Sequence, residues 1–272
     1  MSNTDSDGDP AATTEHPAFG ALPAPRMEPY LNYVRGDQGR AIELYQWNIA
    51  VSAALWEVLC HVEVGLRHAI DSAMTIRHSA LGRPDEWLDF AENTPEGARE
   101  IGTRAVDDIT AAWENAQKNR RRGEGNHPFT MDHAIAELNF SFWRFLLAKD
   151  REPKLGKSIR KGFPHAPRRS PQNDMQDLRQ LVVPLYALRN RIAHHEPIWS
   201  YPRRLENRHD DALTLLGYIS PELKSLAGKA SRFRIVFDNH PRLRIQPARY
   251  EWTCGVCVAR PSRSNGPGAV SW

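Results

Sequence analysis

Leu44, Asn48, Val51, Leu55, Val58, Val62, Leu66, Ala69 and Ala73 follow one another at steps of three or four residues. This spacing turns one side of an α-helix toward a core, so it predicts one long helix, or two nearly continuous ones, over residues 39–77. Asn48 is the polar exception in the stripe. Glu63 and Arg67 stand four apart in the favourable order, which predicts a surface ion pair worth about 0.3 kcal/mol to the helix.

The remaining strong periodicity is also helical. After a Gly82-Arg83-Pro84 break, Trp87, Leu88 and Phe90 mark a short element. Thr94-Pro95-Glu96 reads as an N-cap followed by proline at the first helical position, opening a helix over 95–119. Thr130 is placed to cap a helix carrying Ile135, Leu138, Phe142, Phe145 and Leu146; with Phe140 and Trp143 added it is apolar almost all round, which predicts a central position. A helix over 173–195 buries Leu178, Leu181, Leu185 and Leu188, with Pro184 kinking or dividing it. Asp210–Tyr218 reads as a helix, and Ser220-Pro221-Glu222 opens another. Phe233, Ile235 and Phe237 alternate as in one short strand. Tryptophans 47, 56, 87, 113 and 143 lie on helical patterns and are expected in the core. The fold class is all-α, a helical bundle.

With 272 residues, 40% of them apolar, the chain can bury a single large core with extensions. Residues 1–26 hold four acids, no Lys or Arg before Arg26, and repeated Pro, Ala, Ser and Thr, which predicts a disordered tail. Pro, Gly and Ser dominate from about 246, so 226–272 is expected to be a partly disordered extension and 27–225 the helical domain. The formal charge is only +3, so partners must be argued from local clusters. Three cysteines, at 60, 254 and 257, offer no disulfide framework and suit a reducing compartment. No signal-peptide pattern opens the chain, and the apolar run Leu181–Leu188 is too short to span a bilayer. These features predict a cytoplasmic protein with no membrane partner. Cys254-Gly255-Val256-Cys257 has zinc-knuckle spacing, but a metal there would need His240 or a second chain, so neither metal nor cofactor is expected.

Function is concentrated in Arg189-Asn190-Arg191-Ile192-Ala193-His194-His195-Glu196-Pro197. A fixed cation can hold a phosphate bidentately, and an imidazole moves a proton near neutral pH. Cleaving an RNA phosphodiester without a metal needs a base for the 2′-OH, an acid for the leaving 5′ oxygen and charge stabilisation at phosphorus. On a regular helix Asn190 and His194 share a face, but Arg189 and His194 are offset by roughly 140°. Either the helix loosens before Pro197, or two copies of the motif complete one site across a dimer, supplying one histidine for each proton transfer. The same residues also suit a purely structural role, since Arg and His satisfy the last carbonyls of a helix. Glu196 is placed either to fix an imidazole tautomer or to be solvated.

Residues 149–170 hold eight bases against two acids, the most basic stretch of the chain. With Arg120-Arg121-Arg122 it is suited to track an RNA backbone, or to form a solvated loop. Phe163 and His165 within it are candidates to stack on a base, or, for Phe163, to anchor the core. Candidate RNA contacts are Arg191, Lys157, Arg160 and Lys161.

Four elements in order carry a family resemblance over about residues 30–225: Leu44-Tyr45-Gln46-Trp47-Asn48, Glu63-Val64-Gly65-Leu66-Arg67, Leu138-Asn139-Phe140-Ser141-Phe142-Trp143, and Leu188-Arg189-Asn190-Arg191-Ile192-Ala193-His194-His195-Glu196-Pro197-Ile198. Phe163-Pro164-His165-Ala166 adds to them. The chain resembles the HEPN superfamily, in particular its Abi-like (abortive infection) branch; His68 stands where that branch usually has Asn. The resemblance implies a helical bundle that dimerises with its motifs facing each other. It also implies a metal-independent endoribonuclease used in phage defence or as a toxin, with RNA as substrate and an antitoxin or inhibitor as a further partner. Arg189 would bind the scissile phosphate, His194 would act as acid or base, and Asn190 would orient one of them, with His195 the alternative proton carrier. Cleavage would leave 2′,3′-cyclic phosphate and 5′-OH ends. Some HEPN modules instead bind RNA, a nucleotide or a partner protein without catalysis, which is the alternative reading.

Overall fold

The computed structural model describes residues 15–122, 130–168, 175–200 and 202–241. The α-helices in chain order are α1 (Ala24–Tyr33), α2 (Gln38–Ala80), α3 (Trp87–Asn93), α4 (Pro95–Ile101), α5 (Thr103–Arg122), α6 (Met131–Glu137), α7 (Phe140–Leu146), α8 (Lys157–Ile159), α9 (Gln176–Ala193), α10 (Pro202–Ile219), α11 (Pro221–Ala230) and α12 (Phe233–Phe237). The protein is all-α, and no strand occurs among the described residues. Packing divides the chain into two units, 52–233 and a smaller one whose described residues are 15–51 and 234–241.

In the smaller unit, residues expected to belong to a disordered tail carry structure. Phe19–Ala21 form a 3-10 turn and α1 begins at Ala24, with Pro25 in its first turn, where a missing N–H costs nothing. Met27 and Tyr30 are fully buried, and Tyr30 meets the Tyr45 ring edge-on with centroids 5.5 Å apart. Trp47 donates its indole N–H to the Val236 carbonyl at 2.9 Å and packs against His240, whose ring centroid is 4.3 Å away. His240 is thus a buried ring partner of Trp47; Cys254 and Cys257 lie outside the described residues.

The larger unit is built on the second part of α2. Leu55, Val58, Val62, Leu66 and Ile70 are all buried there, as the apolar stripe predicts. By length and composition alone α2 could cross a membrane, a test that a core helix also passes. Gly65 is packed so closely that a Cβ would lie 2.9 Å from Leu223, with Leu216 and Ile219 just beyond. Gly162 presses on the same helix from elsewhere, its would-be Cβ 2.3 Å from the Ala69 carbonyl. Trp87 and Trp143 are buried as expected, whereas Trp56 and Trp113 are only half-buried.

Four expectations change. The helix predicted over 95–119 is two, because Gly102 adopts φ +90°, where a Cβ would collide with the Arg151 guanidinium at 2.1 Å. The helix expected from Thr130 breaks at Leu138-Asn139. Asn139 starts α7 by accepting from the Ser141 and Phe142 amides, an alternative to helical pairing that Asn offers readily. The strand expected at 233–237 is the short helix α12. Its start is capped by Ser231 Oγ, which accepts the Phe233 N–H at 3.2 Å, and alternation over five residues is too short to outweigh that cap. The expected boundary at 225 also falls inside α11, which Ser220 caps from its side-chain oxygen.

Between α2, α3 and α4 a carboxylate is clamped by two cations. Glu100 accepts two hydrogen bonds from Arg77, both 2.9 Å, and two from Arg83, at 3.1 and 2.9 Å. Burial alone would raise the Glu100 carboxyl, but the hydrogen bonds and charges of Arg83 and Arg77 outweigh it and pull the pKa down to about 2. Because this value lies below the ordinary 4.5, the clamp contributes fully above about pH 4.5 and is lost as pH falls toward 2. Urea unfolding between pH 6 and pH 2.5 should show stability falling across that window, with a shallower fall in Glu100→Gln.

Candidate functional site

The motif closes the C-terminus of α9. Helical geometry ends at Ala193; His194 takes φ −89° and ψ 8°, and His195 takes φ 56° in the left-handed region. The His195 amide donates to the Ile192 carbonyl at 2.9 Å and the Glu196 amide to the Arg191 carbonyl at 2.8 Å. That pair of bonds is a Schellman closure, which consumes carbonyls the ending helix would leave unpaired. Of the two geometries open to the sequence, loosening of the helix before Pro197 is therefore present within one chain. Both imidazoles are exposed, while Ile198 and Trp199 are buried just beyond and anchor the exit.

Arg191 and Glu196 belong to this closure. Arg191 Nε lies 3.2 Å from Glu196 Oε2, and the same guanidinium donates to the Pro197 carbonyl. Glu196 thus meets a cation and not an imidazole, and Arg191 is engaged in shaping the turn.

Arg189 faces α2 instead. Its Nε is 3.5 Å from Glu63 Oε2, and its guanidinium carbon lies 5.4 Å from the centroid of the Trp56 ring. Trp56 and Glu63 are seven residues apart, two helical turns, so they offer one side of α2 to the same cation. The side chains of Arg189 and Glu63 are 29% and 19% exposed, which shields the pair from solvent more than a surface ion pair. The nearest contact is made through Nε, and among the described residues no hydrogen bond engages either Nη. Cys60 lies one turn from both Trp56 and Glu63; burial and then the Glu63 charge raise its thiol pKa, against the pull of Arg189, so it stays a neutral thiol.

Sequence spacing gave Glu63 the wrong partner. Arg67 donates to the Leu138 carbonyl at 3.3 Å, and Glu63 goes to Arg189, because α9 brings a cation that local spacing cannot register. Trp56 and Glu63 are the site residues that sequence reasoning missed; their only signal is the two-turn repeat on an otherwise apolar helix.

The basic stretch 149–168 divides. Arg160 donates to the carbonyls of Phe163, Ala166 and Pro167, and so holds a turn. Lys154 donates to the Arg99 carbonyl at 2.7 Å. Phe163 is fully buried, a core anchor and not a stacking platform. Lys157, Lys161 and His165 are exposed. The side chains of Arg120–Arg122 and all of Arg169 lie outside the described residues.

One constellation invites a hydrolase reading. His209 Nε2 is 3.0 Å from Ser231 Oγ, and Nδ1 is 3.5 Å from Asp210 Oδ1. The ring is buried and stacked on Phe233 with centroids 4.5 Å apart, and the hydroxyl caps α12. These groups hold a helix start in place.

No family model matches this chain, and no curated protein or solved structure matches it.

A non-glycine residue in the left-handed region costs roughly 1 kcal/mol. His195→Gly should therefore raise stability by about that amount in chemical denaturation. Activity at the motif should persist in that variant if His194 is the proton carrier.

Proposed function

We propose that this protein is a metal-independent endoribonuclease of the Abi-like HEPN type, with Arg189 and His194 as its central groups. The observation that carries the reading is the separation of tasks within the motif. Arg191, Glu196 and the His195 backbone are taken up in closing the helix, while Arg189 is held with its Nη groups unspent and His194 is exposed at the helix end. Those are the two groups the chemistry requires.

In the reaction, an imidazole takes the proton of the 2′-OH and the 2′ oxygen attacks phosphorus. The P–O5′ bond breaks, and the leaving oxygen takes a proton from a second acid. Arg189 neutralises the charge that builds on the non-bridging oxygens. The products are a 2′,3′-cyclic phosphate and a 5′-OH. One His194 per chain supplies one of the two proton carriers, and the homodimer implied by the family resemblance supplies the other. Asn190 lies one turn before His194 on the same face of the helix, the place from which its amide would orient the imidazole. The family resemblance also supplies the biological setting: abortive infection of phage-infected cells, or toxicity restrained by an inhibitor.

The test is incubation of the purified protein with total RNA in EDTA, beside His194→Ala and Arg189→Ala. Wild type should cut and leave cyclic phosphate ends, and each variant should cut roughly 10²–10⁴-fold more slowly while remaining folded by circular dichroism. Wild-type protein that is folded and binds RNA through Arg189 without cutting it would replace catalysis with binding. Undiminished cutting of RNA carrying 2′-O-methyl groups would sink the proposed nucleophile.

A further inference from the structure

Two more arginines lie around the same site with their charge unspent. Arg67 stands one helical turn beyond Glu63, the partner of Arg189, and reaches the Leu138 carbonyl. Two residues on, Phe140 meets the Tyr186 ring edge-on with centroids 5.7 Å apart. Arg144, one turn further along α7, sits over that tyrosine with its guanidinium carbon 4.8 Å from the ring centroid. Tyr186 is one turn before Arg189 and Asn190 on α9. The contacts close a circuit from α2 to α7 to α9 and back, with Arg67, Arg144 and Arg189 set around it.

The electrostatics of this circuit are lopsided. Glu63 is its one carboxylate, and among the described residues neither Arg67 nor Arg144 has an ion-pair partner. All three arginines are half-buried. Three half-buried guanidinium groups against one carboxylate leave a net charge of +2, which attracts an anion. The patch has a boundary: one turn past Arg67, Asp71 accepts from the Trp87 indole at 2.8 Å, with Glu86 and Asp132 in its field. A polyanion is repelled on that side and led toward α7.

We propose that Arg67 and Arg144 bind backbone phosphates of a single RNA strand next to the phosphate held by Arg189, making one substrate track over α2, α7 and α9. This inference rests on the ribonuclease reading and places the strand on a surface separate from the basic stretch at 149–168. The Arg144 guanidinium, over the Tyr186 ring, is also of the planar kind on which bases stack in single-stranded RNA recognition.

The test measures binding of a fluorescein-labelled, fully 2′-O-methylated single-stranded oligoribonucleotide of mixed sequence, which the proposed reaction cannot cut. Fluorescence anisotropy is followed from 50 to 300 mM KCl with the full-length protein. Each of Arg67→Gln and Arg144→Gln should weaken binding and reduce the slope of log K against log salt by about 0.7, the value for one phosphate contact on a single strand. Arg67→Lys and Arg144→Lys should restore most of that slope; a merely structural role would be lost in the lysine variants as well. If Arg189→Gln lowers the slope while the Gln variants at 67 and 144 leave it unchanged, the track is wrong and the ribonuclease reading stands. If no arginine variant changes binding, both fall.

Discussion

Burial of α2 is the constraint on which the larger unit depends. Its core-facing residues Leu55, Val58, Val62, Leu66 and Ile70 are buried, and its neighbours come so close that side chains are excluded at the contacts. Gly65 receives Leu216, Ile219 and Leu223 from α10 and α11, and Gly162 brings the 160–162 turn against the Ala69 carbonyl. Close packing of this kind transmits position accurately, because an interior as dense as a crystal leaves few alternative arrangements. On another side of the same helix, Trp56 and Glu63 hold Arg189. The candidate site therefore inherits its geometry from the core.

The motif at the end of α9 divides its members between closing the helix and facing outward or toward α2. A helix ending in a Schellman closure needs a left-handed residue and amides for the last carbonyls, and His195 and Glu196 meet those needs. Arg191 folds back on Glu196 and Pro197 and stiffens the turn. His194 is thereby placed at a defined position outside the helix while its ring stays exposed. Helix closure, one of the two readings left open by the sequence, is carried by the backbone and neighbouring side chains; the proposed catalytic reading falls to Arg189 and His194.

Legibility from the sequence varied with the range of the interaction. The long helix, the Thr94 and Ser220 caps and the interruption after Ala80 were all readable, because each depends on residues within a turn or two of one another. The Gly102 break was missed because glycine inside a helical pattern is tolerated as often as it terminates, and the Arg151 guanidinium that occupies the space comes from 49 residues away. The Phe233–Phe237 alternation was misleading over so short a run, where the Ser231 cap and the burial of Phe233 prevail. The basic stretch was read as a surface, yet Arg160 is committed to three local carbonyls.

By itself, the sequence determined the helical class, the length of α2 and the location of the chemically equipped segment at 189–197. Those follow from periodicity, capping and side-chain chemistry, which act locally. Only the tertiary structure decided that Glu63 serves Arg189 and not Arg67, that Arg67 reaches the Leu138 carbonyl and Arg144 the Tyr186 ring, and which of two adjacent histidines is bound into the helix closure. These outcomes turn on which helices approach one another, and the ion pairs and ring contacts involved join residues far apart in the chain. Each such contact is worth little alone, so packing of the core selects the partners.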